Sequence, residues 1–162
     1  MYKDYLKNKS ERKRLADELI AELERICLPS KDLELLSVEA RPLSWLSCWS
    51  EDGITIIRPD LYVVTSYVDY IDHWLIEIDL GDDGEKTERC LDYLKYYQTA
   101  AKPTESDLFP VVVWVAKDEV RKEQLRRAIT EKLPPHHKMF LVIIPDELEK
   151  MLRQMIDTKE LC

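Results

Sequence analysis

Two carboxylates interrupt an otherwise apolar run, "HWLIEIDL" from His73 to Leu80: Glu77 and Asp79, two positions apart. Side chains alternate faces along a strand, so Trp74, Ile76, Ile78 and Leu80 share one apolar face. Leu75, Glu77 and Asp79 share the other, which turns acidic toward its C-terminal end. A carboxylate enclosed between sheet and helix must be paired, protonated or bound to a metal. A third acid, Asp60, follows Pro59 at a break between two β-like segments. Proline removes a ladder donor and implies a bend, from which Asp60 is expected to project beside the strand carrying Glu77. Carboxylates with a backbone carbonyl form an oxygen set suited to Mg2+ or Mn2+. Such an ion activates water for attack on a phosphodiester and stabilises the charge that develops. The expected metal set is Asp60, Glu77 and Asp79. The plainer alternatives are a turn acid after proline for Asp60, and a solvent-facing strand or a salt bridge to Lys95 or Arg58 for Glu77 and Asp79.

The elements that must position these acids follow from periodicity. From Glu11 to Cys27, Leu15, Leu19, Ile20, Leu23 and Ile26 recur at helical spacing, and Pro29 ends the segment. Glu22 falls at the edge of that stripe, as an accessory ligand or, more simply, a surface acid. Leu33 to Ala40 and Ser44 to Trp49 read as short strands or a hairpin, and Glu51 to Gly53 as a turn. Ile54 to Tyr67 is β-branched and broken at Pro59. Glu85 to Thr99 reads as a helix with Cys90, Leu91, Leu94 and Gln98 on one face. "FPVVVWVA" and "MFLVIIP" are continuous apolar runs of the kind buried on both faces of a sheet. Asp118 can cap a helix reaching Leu133, and Asp146 to Asp157 forms a last helix. The front half reads as an antiparallel meander. The back half alternates strand and helix, which requires parallel crossovers.

The chain has 162 residues, 45% hydrophobic and 35% charged, the size of one domain spanning residues 1–162. Its three glycines exclude a glycine-rich phosphate loop. No apolar run reaches the roughly 20 residues that span a bilayer, and "MYKDYLKNKSERKR" lacks the apolar core of a secretory signal. The expectation is a cytoplasmic protein with no membrane partner. Cys27, Cys48, Cys90 and Cys162 are scattered, which disfavours a disulfide framework or a cysteine zinc site; Cys27 and Cys90 read as small core hydrophobes. Formal net charge is −8, against a protein coated by nucleic acid on every side. The charge is uneven, however. Lys3, Lys7, Lys9, Arg12, Lys13 and Arg14 crowd a basic N-terminus, whose first ten residues are candidates for disorder. Arg121, Lys122, Arg126 and Arg127 form a second group. Each is a solvated helix face or a phosphate-contacting patch. Asp82 and Asp83 suit the turn and helix start. His136-His137 reads as a polar loop. Tyr93, Tyr96 and Tyr97 pack at a core edge or stack on bases. Trp45 and Trp49 belong to the core or mark a partner surface.

Pro59-Asp60, then Glu77-Ile78-Asp79 on a strand about seventeen residues later, then a helix and a strand, resembles the PD-(D/E)XK nuclease superfamily. The core of that superfamily runs helix, three strands, helix, strand, an order matched from Glu11 to Ala116. More narrowly, "RPDLYVV … WLIEIDLGDDG … LDYLKYY … FPVVVWVA" resembles the replication-relaxation family of plasmid and mobile-element proteins. Its members often carry Glu-x-Asp-x-Gly on the central strand and then a helix with Lys and Tyr. The resemblance covers Ile54 to Pro145. It implies an α/β domain with a restriction-endonuclease-like mixed β-sheet flanked by helices, DNA as partner, and a Mg2+- or Mn2+-dependent nuclease or a degenerate form of one.

Two departures bear on that implication. The nuclease motif ends in lysine, which places and activates the attacking water, and this position is Asp79. Lys95 or Gln98, from the following helix, is the expected substitute; Asp79 then contributes a third acid or orders a water. Relatives commonly carry a winged-helix DNA-binding domain ahead of this core, and the expectation here is a short form or an excised domain without one. The rival from another class is a catalytically inactive module on the same fold, using sheet and tryptophans for contacts with a protein partner, a second copy or DNA.

Overall fold

The computed structural model describes residues 2–41, 46–50, 53–81, 86–98, 110–133 and 135–159. Helix α1 (Tyr2–Cys27) leads into β1 (Leu33–Ala40), a hairpin of β2 (Leu46–Ser50) and β3 (Gly53–Ile57), and then β4 (Leu61–Tyr67) and β5 (Tyr70–Asp79). The chain continues through α2 (Lys86–Gln98), β6 (Val111–Ala116), α3 (Glu119–Lys132), β7 (Phe140–Ile143) and α4 (Leu148–Lys159). Five strands form one mixed sheet in the order β1-β4-β5-β6-β7. β1, β4 and β5 pair antiparallel, whereas β5, β6 and β7 pair parallel, as the change of pattern along the sequence requires. β2 and β3 pair only with each other, so β1 has β4 and not the next strand as its neighbour.

Helices cover both faces of the sheet. Trp74, Ile76, Ile78 and Leu80 pack with Val113 and Val115 against Leu15, Leu19, Leu23 and Ile26 of α1 and Leu148, Met151 and Leu152 of α4. On the opposite face Leu75, Val112 and Trp114 meet Cys90, Tyr93, Leu94 and Tyr96 of α2 and Leu125 and Ile129 of α3. The period-2 reading of β5 therefore holds: its even-numbered residues face α1 and α4, and its odd-numbered residues face α2 and α3. Val112 to Ala116 are buried throughout, as a strand covered on both sides must be.

Local signals account for several boundaries. Asp118 caps α3 by accepting from the Arg121 N–H at 2.8 Å. α1 starts at Tyr2, nine residues before the start expected at Glu11. Positions 2–10 are helical; they contain no glycine or proline, and lysine and leucine are good helix formers. Cys27 and Cys90 are buried thiols, as expected of core hydrophobes. Among the described residues, no helix is long and apolar enough to cross a membrane.

The odd face of β5 becomes polar at its N-terminal end too. His73 Nδ1 lies 2.6 Å from the Tyr62 hydroxyl, with the rings stacked at 5.9 Å. Burial holds the His73 imidazole below its usual value of 6.5, and the nearby Asp72 charge offsets this only in part. Protonation therefore favours the unfolded chain. The stability His73 contributes is complete above pH 6.5 and is lost as pH falls through its lowered folded value. Urea unfolding just below pH 6.5 should show stability rising with pH, with a smaller slope in His73→Gln; equal slopes would show that this imidazole is not linked to folding.

Candidate functional site

β4 begins at Leu61, and Pro59 and Asp60 lie just outside it. One further step of the β4–β5 register would place Asp60 opposite Glu77. There the Asp60 side chain takes over from the backbone ladder: its Oδ2 accepts the Ile78 N–H at 2.8 Å. The same oxygen accepts from Arg12 Nη1 of α1 at 3.1 Å, and Asp60 is only 9% exposed. The Asp60 carbonyl also accepts the Arg41 N–H at 2.9 Å. Arg41 has a φ of 50°, in the left-handed region that a long side chain seldom adopts. The bend inferred from Pro59 is real, and Asp60 does lie beside the strand of Glu77.

Glu77 is fully buried among the side chains of the α2 layer. Its Oε1 accepts from the Tyr93 hydroxyl at 2.6 Å and pairs with Arg89 Nε at 2.8 Å. Arg89 and Tyr93 stand four apart on α2 and so share a face. Burial and then the Glu77 charge push the Tyr93 phenol well above its ordinary value, so it stays a proton donor to the carboxylate. Burial opposes the Arg89 charge, but Glu77, Tyr93 and Asp60 together hold the guanidinium above its usual value. Arg89 also donates to the Arg58 carbonyl, and Arg58 donates to the Arg41 carbonyl at 3.2 Å. A continuous chain of hydrogen bonds thus joins Glu77 to the backbone around Asp60. Cys90, beside it, is pushed up to about 12 by burial and then by Glu77, which keeps the thiol neutral.

Asp79 ends β5 and is also fully buried. Its Oδ1 accepts the Gly81 N–H at 2.8 Å, and its Oδ2 pairs with Arg121 Nε of α3 at 2.9 Å. Gly81 has a φ of +87°, a conformation glycine adopts without steric cost. Each of the three acids therefore has an arginine of its own, from α1, α2 and α3 respectively.

Lys95 and Gln98, expected to serve the site, are both exposed. The inward face of α2 is set by Cys90, Tyr93, Leu94 and Tyr96, and Leu91, expected inside, is 43% exposed. That rotation turns Lys95 and Gln98 toward solvent and brings Arg89 and Tyr93 to Glu77. Glu22 pairs with Arg25 at 2.7 Å on the surface, so the simpler reading of it stands. Asp82, Asp83, Trp45 and the side chain of Trp49 lie outside the described residues.

As arranged here, the three acids are engaged by arginines. Both oxygens of Asp79 are held, by Gly81 and Arg121. Asp60 is engaged by Arg12 from α1 and Glu77 by Arg89 from α2. Arginine cannot give up its proton in a protein, so an ion would have to compete with a permanent cation at each of the three acids. Among the described residues, no group of three or more His, Cys, Asp or Glu side chains could hold an ion.

Arginine and lysine also shape the space beside Asp60. A cleft of about 410 Å³ opens between α1 and the end of β1, lined by Lys9, Arg12, Lys13 and Arg41 against Asp17 and Asp60. The sequence marks the first three as basic residues without linking them to Asp60. Their spacing along α1 carries no sign that Ala40 and Arg41 complete the wall. Comparison with protein-family models, curated proteins and solved structures found no match.

Two substitutions test this geometry. Tyr93→Phe removes one of the donors to a buried carboxylate and should cost about 1–2 kcal/mol in urea unfolding. Gly81→Ala forces a Cβ into a left-handed turn and should cost about 1–2 kcal/mol. Changes within about 0.3 kcal/mol for both would show that Glu77 and Asp79 are not held as described.

Proposed function

We propose that this protein binds nucleic acid through the basic cleft beside Asp60, on a restriction-endonuclease-like fold whose carboxylate site is closed by arginines. The observation that carries this is the cleft itself. Lys9, Arg12, Lys13 and Arg41 line one concave surface, outnumbering its acids Asp17 and Asp60, in a chain with net charge −8 where a generally basic surface is not the cause. Convergent lysine and arginine attract a phosphate backbone and release its counterions. The order helix, antiparallel strands, helix and parallel strand, with Asp60 before β4 and Glu77 on β5, supports the resemblance to PD-(D/E)XK nucleases and the replication-relaxation family. That resemblance favours DNA, in plasmid or mobile-element replication, as the partner.

The same pairings favour binding over cutting. Mg2+ or Mn2+, the ions the resemblance implies, would have to displace Arg12 from Asp60 and Arg89 from Glu77. Asp79, which stands where the motif has lysine, is committed to Arg121 and cannot replace that lysine. The acids here hold arginines in place, and one of those, Arg12, lines the cationic cleft.

Fluorescence anisotropy with a 20-base-pair duplex and a single strand of the same length tests the first part. Lys13→Glu with Arg41→Glu should weaken binding at least about tenfold at low salt and flatten its salt dependence. Failure of the unaltered protein to bind either DNA would refute the proposal. Incubation of plasmid with protein and Mn2+ should give no cutting that Glu77→Ala abolishes; Glu77-dependent cutting would replace binding with catalysis.

A further inference from the structure

β7 is an edge of the main sheet, and no described strand pairs with its outer side. Leu141 and Val142 there are only partly buried. An edge strand presents a row of backbone N–H and C=O groups, a template for another extended chain. Proteins commonly blunt such an edge by covering it with a helix or a loop. Here α3 and α4 instead flank a groove of about 440 Å³ along the strand. Its floor is apolar, with Phe140, Leu141, Val142, Ile143, Ile129 and Met151. Its polar rim is cationic: Arg126, Lys138 and Lys150 are exposed around it, and Glu147 is the lone acid among the described residues of its lining.

The walls of the groove are fixed to each other. Lys122 of α3 is buried and pairs with Glu147, in the turn before α4, at 2.8 Å. Glu147 also accepts the Ile144 N–H at 3.1 Å, just beyond β7. Glu147 is thus neutralised by Lys122 and leaves the rim charge positive. A groove built this way needs little reorganisation on binding.

We infer that β7 accepts an acidic, extended peptide segment of a partner protein, which adds as a further strand. Alternate apolar side chains of the peptide rest on the floor, and its carboxylates meet Arg126, Lys138 and Lys150. Charge complementarity selects an acidic partner, and the strand edge with its apolar floor selects a peptide over a phosphate backbone. This site is on the opposite sheet edge from β1 and its cleft, and it does not depend on the nucleic-acid proposal.

The test uses the full chain and a fluorescein-labelled peptide of eight residues alternating valine and glutamate. Anisotropy should show binding that salt weakens. Replacing glutamate with lysine in the peptide, or methylating its backbone nitrogens, should abolish binding. Arg126→Glu with Lys150→Glu should weaken it by roughly tenfold or more, while circular dichroism stays unchanged. Hydrogen exchange at the Leu141 and Val142 amides should slow on binding. No binding of the glutamate peptide, equal binding of the lysine or methylated peptide, or its displacement by a DNA duplex while the methylated peptide still binds would each overturn the inference.

Discussion

The structure depends on neutralising an acidic stripe placed on its most buried strand. β5 lies at the centre of the sheet, paired on both sides, and carries Glu77 and Asp79 with no exposure to solvent. A buried charge left alone is costly by several kcal/mol, so each acid must bring a cation with it. Arg89 comes from α2 and Arg121 from α3, and Arg12 comes from α1 to Asp60 at the adjoining edge of β4. Three helices are thereby tied to one strand at defined positions. Such pairs add less net stability than apolar packing of equal volume, but they oppose misregistration. A one-residue slip of β5 would turn both acids into the α1 layer, among Leu19, Leu23 and Leu148, away from Arg89 and Arg121.

The same constraint links the core to the surface. Arg12 reaches Asp60 from within the cleft wall, so its charge is presented next to Lys9, Lys13 and Arg41. Arg89 reaches Glu77 and the Arg58 carbonyl together, and Arg58 in turn holds the Arg41 carbonyl. The backbone that carries Arg41 in its strained conformation is thus fixed from two sides, through Asp60 and through Arg58. In the proposed function, Asp60 positions Arg12 among the cations that meet phosphate.

Much of this arrangement is legible in the amino-acid order. The alternation from His73 to Leu80 identifies the two faces of β5, and the continuous apolar runs around Val112 and Val142 identify strands of a parallel sheet. Asp118 marks a helix start, and Pro59 marks the bend that delivers Asp60. The cationic partners are not legible, because Arg12, Arg89 and Arg121 are separated in sequence from the acids they meet, and pairing over such distances is decided by how helices pack. Arg89 and Tyr93, four apart, are the one local sign that α2 offers two donors on one face. That sign is obscured by Leu91, whose apolar side chain suggests an inward face rotated toward Lys95 and Gln98. Leu91 is exposed instead, since Cys90, Tyr93 and Leu94 fill the space against Trp114 and Leu75.

If arginine holds the buried acid of β5 in the folded protein, the two side chains must be energetically coupled. A double-mutant cycle on Glu77→Gln and Arg89→Met, read by urea unfolding at low salt, measures that interaction. Arg89 is about a third exposed, so solvent screens part of the attraction, and the expected coupling is about 1–2 kcal/mol in favour of the native pair. A coupling within about 0.3 kcal/mol of zero would rule the pairing out as the source of stability, because Glu77 would then be stabilised without Arg89.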